Sequence, residues 1–181
     1  MSNNTFDYGI QQEYKMTPNT EAADFLQAEV QSFFGYKQKS KREKFADVWH
    51  NKKHGLNVKT DNLSSQHNQG RLCTAAINEW LQDEENVLDF VFISYTNVNG
   101  HIKIQEVITK TIEEVEYRIS NQGKGLLQPV RDKNNKVVFR AKITRSEWIK
   151  EFQSKYSDFI EKQQEKFEKL KIKWCENASV I

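Results

Sequence analysis

Residues 87–95, VLDFVFISY, constrain the fold more than any other stretch of this 181-residue chain. β-branched and aromatic side chains occupy both alternating sets of positions, so a strand built from them has no face for water. Such a strand belongs in the middle of a sheet covered on both sides. Around it the chain alternates helix, hairpin, helix, hairpin, then strand and helix. That order predicts an α/β domain with a mixed central β-sheet flanked by helices and a long C-terminal helix.

Residues 1–16 are polar and aperiodic and predict a flexible arm ahead of a single domain over residues 17–181. Thr17, Pro18, Asn19 and Thr20 suit a helix start, and Ala22, Phe25, Leu26, Val30 and Phe33 recur at helical steps until Gly35 can end the helix. Glu29 falls inside that stripe. A carboxylate on an apolar face either has a cation or metal partner or reaches past the stripe's edge to water. Residues 71–83 predict a second helix, 97–100 a turn, 101–109 a half-buried strand and 136–142 (KVVFRAK) another strand. Residues 111–119 fit neither pattern. Thr144 and Glu147 form a capping-box pattern, behind which Ile149, Phe152, Tyr156, Phe159, Gln163, Phe167, Leu170 and Trp174 step by three or four. A stripe of about seven turns overruns a small core, so it packs on its own sheet or meets a second copy.

The 37% hydrophobic and 29% charged content suits a folded domain with much solvated helix surface, because Phe, Trp, Ile and Val remain frequent. A net charge of +2 does not demand a nucleic-acid partner, but its distribution favours one. Lys37, Lys39, Lys41, Arg42, Lys44, Lys52, Lys53 and Lys59 stand against only Glu43 and Asp47. A local patch of this kind neutralises phosphates; a solvated loop is the plainer reading. Cys73 and Cys175 both lie in helical patterns, so a reducing cytoplasmic setting is expected and a disulfide framework is not. The first residues lack an apolar run after a basic start, which predicts no secretory leader, and no stretch has the length of a membrane span.

Residues 45–62, FADVWHNKKHGLNVKTDN, read as two strands joined by a turn at residues 52–55, with Gly55 free to take positive φ. Asp47 lies on the first strand. Leu56 and Val58 alternate with Asn57 and Lys59, so Asn57 and Lys59 share a face, and strand pairing can bring Asp47 to it. Hydrolysis of a phosphodiester needs an activated water and a shield for charge building on phosphate oxygens, and a divalent cation supplies both. Mg²⁺ is satisfied by one or two carboxylates with water and substrate oxygens. Asp47 is the natural ligand, with Glu29 a second if it faces the sheet. Lys59 would position the attacking water or stabilise developing charge. Asn57 offers a neutral amide oxygen, or only a hydrogen bond to a bound water.

This hairpin resembles the D…(D/E)-x-K core of PD-(D/E)XK nucleases, and more narrowly the N-x-K variant of some type II restriction endonucleases. The resemblance extends from residue 45 to about residue 128, through a strand, a turn, a second strand with an acidic tail and the loop NQGKGLLQ at 121–128. It implies a restriction-endonuclease-like fold and Mg²⁺-dependent, site-specific cleavage of double-stranded DNA by a homodimer, with a cognate DNA methyltransferase protecting the host. By the same resemblance Asp47, Asn57 and Lys59 occupy the core positions. Asn57 stands where the family usually has an acid. In the 121–128 loop, Gly123 and Gly125 let backbone amides approach a phosphate beside Lys124, and Gln122 or Gln128 can reach base edges. A plain surface turn is the alternative.

Two rivals remain. His50 and His54, with His67 and Cys73 downstream, are potential zinc ligands. A non-catalytic DNA-binding or dimerisation protein would use the basic run and the long helix, and Asn57 in place of an acid speaks for it.

Overall fold

The computed structural model describes residues 5–16, 21–35, 46–64, 72–121 and 125–178. In chain order these form β1 (Glu13–Lys15), α1 (Ala22–Phe34), β2 (Val48–Asn51), β3 (His54–Asn62), β4 (Leu72–Cys73), α2 (Thr74–Leu81), β5 (Val87–Val98), β6 (His101–Thr111), β7 (Tyr117–Ile119), β8 (Leu126–Pro129) and α3 (Arg145–Ala178). Strands β1, β6, β5, β3 and β2 make one mixed sheet in that order, and β4, β8 and β7 make a second, three-stranded one. The expected α/β architecture with a mixed sheet and a long C-terminal helix is therefore the observed one.

β5 is the central strand, as its sequence requires. It pairs in parallel with β3 from His54↔Val87 to Asn62↔Tyr95, and antiparallel with β6. A parallel pair needs a crossover, and β4 and α2 provide it. Alternate residues of β5 feed two cores. Val91, Ile93 and Tyr95 pack with Leu56, Val58 and the α1 residues Ala22, Leu26 and Val30. Leu88, Phe90 and Phe92 pack on the other face with Ile77 and Leu81 of α2 and Trp148 and Phe152 of α3.

Helix ends follow local chemistry. α1 stops at Gly35, whose φ of 67° is left-handed and whose N–H donates to the Gln31 carbonyl at 3.2 Å. α3 starts at the expected box: the Thr144 N–H and hydroxyl donate to Glu147 Oε2, both at 2.8 Å, and the Glu147 N–H returns a bond to Thr144 Oγ1 at 3.2 Å. Its first half is anchored by the fully buried Trp148, and by Phe152 and Phe159. Its second half leaves Phe167, Leu170 and Trp174 exposed, the last at 76%. Among the described residues no helix is long and apolar enough to cross a membrane.

Several expectations need correction. From residue 5 the presumed arm is part of the packed structure: Ile10 is fully buried, β1 pairs with β6, and the Met16 N–H donates to the Gly100 carbonyl at 2.8 Å. Ile10, Tyr8 and Tyr14 are apolar anchors that need no periodicity to dock. The helix expected over 71–83 is shorter, because Leu72 and Cys73 pair with β8. Residues 136–142 form no strand; their backbone bridges to residues on two different sides, Val115↔Phe139 and Arg131↔Val137, and builds no continuous ladder. Residues 111–119 divide into a 3-10 turn, Ile112–Glu114, and β7.

The hairpin turn is Lys52-Lys53 alone, and Gly55 belongs to β3. Glycine is needed there for space: a Cβ would lie 2.8 Å from the Ala46 Cβ and 3.4 Å from the Trp49 ring. Gly55→Ala is expected to destabilise the fold by about 1–3 kcal/mol, measurable by urea denaturation. A neutral substitution would show that β2 and β3 are not held this closely.

Candidate active site

β2 and β3 pair with Val48 opposite Leu56 and Trp49 opposite Gly55. One further step in that register sets Asp47 opposite Asn57, so both share a face with Lys59. Asp47 itself lies in a bend just before β2 rather than in the strand. Its N–H still donates to the Leu56 carbonyl at 2.9 Å, which continues the ladder by one bond. The Asp47 carbonyl accepts from Gln27 Nε2 of α1 at 3.3 Å. This residue is thus fixed through its backbone from two sides, and Gln27 is a contributor that sequence reading missed.

The side chain is fixed as well. Asp47 Oδ2 accepts the Val58 N–H at 2.9 Å and lies 3.7 Å from Lys59 Nζ. Burial pushes the Asp47 carboxyl above the ordinary carboxylate range, against the opposing pull of the Lys59 charge and the Val58 N–H. Burial also lowers the Lys59 ammonium below the ordinary lysine range, with Asp47 opposing that shift. The strand register places Lys59 beside Phe92 and Asn57 beside Phe90 on this face, and the Phe90 and Phe92 rings stack at 5.6 Å. Asn57 is 1% exposed. A poorly solvated acid, amide and lysine therefore line one face of two paired segments.

Glu29 does not join them. Its carboxylate lies against the Tyr14 phenol, whose pKa is raised by burial first and by Glu29 in addition. Tyr14 belongs to β1, at the opposite edge of the sheet from β2. Of the two options open to Glu29, a cation or metal partner or the edge of the stripe, its half-buried carboxylate takes neither fully and lies beside Tyr14 of β1. Among the described residues no three His, Cys, Asp or Glu side chains are grouped to hold a metal ion.

Two positions past Lys59 on the same strand stands Asp61. It forms a two-pronged pair with Arg131, at 2.7 and 2.9 Å, and Arg131 also donates to the Asn135 carbonyl at 2.7 Å. The period-two sequence of Asn57, Lys59 and Asp61 was the available signal for its orientation.

Of the basic residues expected to contact DNA, Lys37, Lys39, Lys41, Arg42, Lys44 and Lys124 lie outside the described residues, as does Gln122. Lys52 is exposed at the turn. Lys53 pairs with Glu85 and lies 3.6 Å from Asp83, so its charge is largely met within the chain. Gln128 is on β8 and accepts from Arg118 Nε at 3.3 Å.

No protein-family model matches the chain, and no curated protein sequence matches it. Among solved structures the chain is similar to the NlaIV restriction endonuclease, with 11% identity and a TM-score of 0.47 over 84% of this chain and 77% of that one. The reading of the site rests on its own geometry.

Removing the lysine charge isolates its effect. Lys59→Met keeps the burial of Asp47 but removes the opposing cation, so the Asp47 pKa should rise further. Carboxyl-carbon NMR titration measures it; an unchanged or lower value would mean that Lys59 is not the counter-charge.

Proposed function

We propose that this protein is a Mg²⁺-dependent endonuclease that hydrolyses double-stranded DNA at a specific short site, in the manner of a type II restriction enzyme. One observation carries the reading: the partly buried Asp47–Lys59 pair, with the buried Asn57 on the same face of the hairpin. The donor set fits Mg²⁺, since a carboxylate oxygen and an amide oxygen are both hard ligands and water and phosphate can complete the shell. The contacts from Val58 and Lys59 both fall on Asp47 Oδ2, which orients the carboxylate as a ligand. Asp47 and Asn57 would hold the ion, whose chemistry there would be polarisation of a phosphate oxygen and a lowered pKa of bound water.

Lys59 has two tasks open to it. As an ammonium it donates to a phosphate oxygen as negative charge builds in the transition state. Its lowered pKa also brings it nearer to accepting the proton that the attacking water must release. Cutting both strands takes two such sites, so the working form is proposed to be a homodimer. Ile160, Phe167, Leu170 and Trp174 share one exposed face of α3 and supply apolar surface for a second copy. A cognate methyltransferase in the same system would keep host DNA uncut.

A non-catalytic DNA-binding protein is the alternative. Asn57 in place of an acid, and the separation of Glu29 from Asp47, both favour it.

Mixed-sequence plasmid incubated with the purified chain and Mg²⁺, with and without EDTA, separates the two. Discrete Mg²⁺-dependent fragments are expected, with cutting reduced by at least about 10²-fold in Asp47→Ala and Lys59→Ala and DNA retention kept. Shifted but uncut DNA would establish the binder instead, and wild-type cutting by Asp47→Ala would show the site to be misassigned. Asn57→Asp should tighten Mg²⁺ binding, read by titration calorimetry. An unchanged affinity would place Asn57 away from the ion.

A further inference from the structure

The turn end of the same hairpin holds a second constellation, independent of the nuclease reading. We propose that His50 Nδ1 and His54 Nδ1 form a site for a divalent transition-metal ion of the Zn²⁺ class, with Asp89 orienting the second ring.

The two Nδ1 atoms lie 3.4 Å apart. A direct N–H···N hydrogen bond would be expected nearer 3.0 Å. Two imidazole nitrogens bound at about 2.0–2.1 Å to one tetrahedral ion stand about 3.3–3.4 Å apart. The observed separation is that of two neighbouring ligands on one ion.

The surroundings match what a metal-binding histidine needs. His54 Nε2 lies 2.7 Å from Asp89 Oδ2, and Asp89 is only 9% exposed on the apolar central strand. Donation of the Nε2 proton to that carboxylate leaves the lone pair of the neutral ring on Nδ1, the atom that faces His50. The His50 ring is held from the other side by Phe34 of α1, with centroids 4.8 Å apart. His50 is solvent-exposed, so water has access to the remaining coordination positions. Two protein ligands make this a weaker site than a closed structural one, consistent with the lack of any three-residue group among the described residues.

Nitrogen donors select Zn²⁺ and its neighbours over Mg²⁺. An ion here would tie the last turn of β2 to the first residue of β3, clamping the two strands whose other end carries Asp47, Asn57 and Lys59. Zinc is thereby a staple for the hairpin, not a participant in its chemistry.

The test is titration of the full chain with ZnCl₂, followed by calorimetry, thermal unfolding and imidazole ¹⁵N NMR. One zinc per chain should bind, raise Tm and shift the Nδ1 resonances of His50 and His54 while His54 keeps its Nε2 proton. His50→Ala should weaken binding by at least about 10-fold, and Asp89→Asn, which keeps both ligands, by about 10–100-fold. His50→Gln serves if the alanine variant does not fold. Equal zinc affinity in wild type and the His50 variants would overturn the proposal by placing the ion elsewhere. Failure of wild type to bind at submillimolar zinc would overturn it as well, and neither result bears on DNA cutting.

Discussion

The parallel ladder between β3 and β5 is the constraint on which the rest depends. It runs nine residues, from His54↔Val87 to Asn62↔Tyr95, with helices covering both faces. Any polar side chain on these strands loses much of its water and must recover the cost from a partner. They do so one by one: Lys59 pairs with Asp47 and Asp61 with Arg131, while Asp89 shares a hydrogen bond with the His54 ring. Buried ion pairs seldom add much stability over apolar residues of the same size. The three contacts along this ladder are only partly buried, at 12–29% side-chain exposure, so each keeps some water as well as its partner.

The hairpin distributes these contacts to both faces of the sheet. The period-two alternation of β3 puts His54 with Leu56 and Val58 toward α1, and Asn57, Lys59 and Asp61 toward α2 and α3. α1 braces both constellations, with Gln27 on the Asp47 backbone and Phe34 on the His50 ring. The close approach of Gly55 to Ala46 and Trp49 keeps the two strands in the register that sets Asp47 opposite Asn57. A shift of one residue would turn Lys59 to the opposite face and dissolve the pair.

What the sequence made legible was whatever is decided locally. The run at 87–95 has apolar residues in both alternating sets, which leaves no option but a central strand. The box at Thr144 and Glu147 and the stripe behind it describe α3 without reference to anything else. The partners of Asp61 and Asp89 lie 70 and 35 residues away, and no local pattern announces them. Glu29 shows the boundary well: helical spacing set it within the apolar stripe, but not whether it turns inward or which strand it meets. Gly55 drew the turn toward itself because glycine is common in turns, whereas its actual role is to leave space for the close approach of Ala46.

The asparagine at position 57 is better understood from its burial than from its departure from a pattern. At 1% exposure an aspartate there would bring a second desolvated carboxylate beside Asp47, whose own carboxyl is already pushed up by burial. One lysine, itself pushed toward neutrality, cannot balance both. Without a divalent ion such a trio would take up a proton or strain the hairpin. An amide supplies an oxygen at the same place with no charge to neutralise. Asp47 keeps its one-to-one pairing with Lys59, and in the proposed nuclease the cost would fall on affinity for Mg²⁺. Under the proposed nuclease reading, position 57 therefore sets the balance between a hairpin that is stable empty and one that would hold Mg²⁺ tightly, and asparagine favours the first.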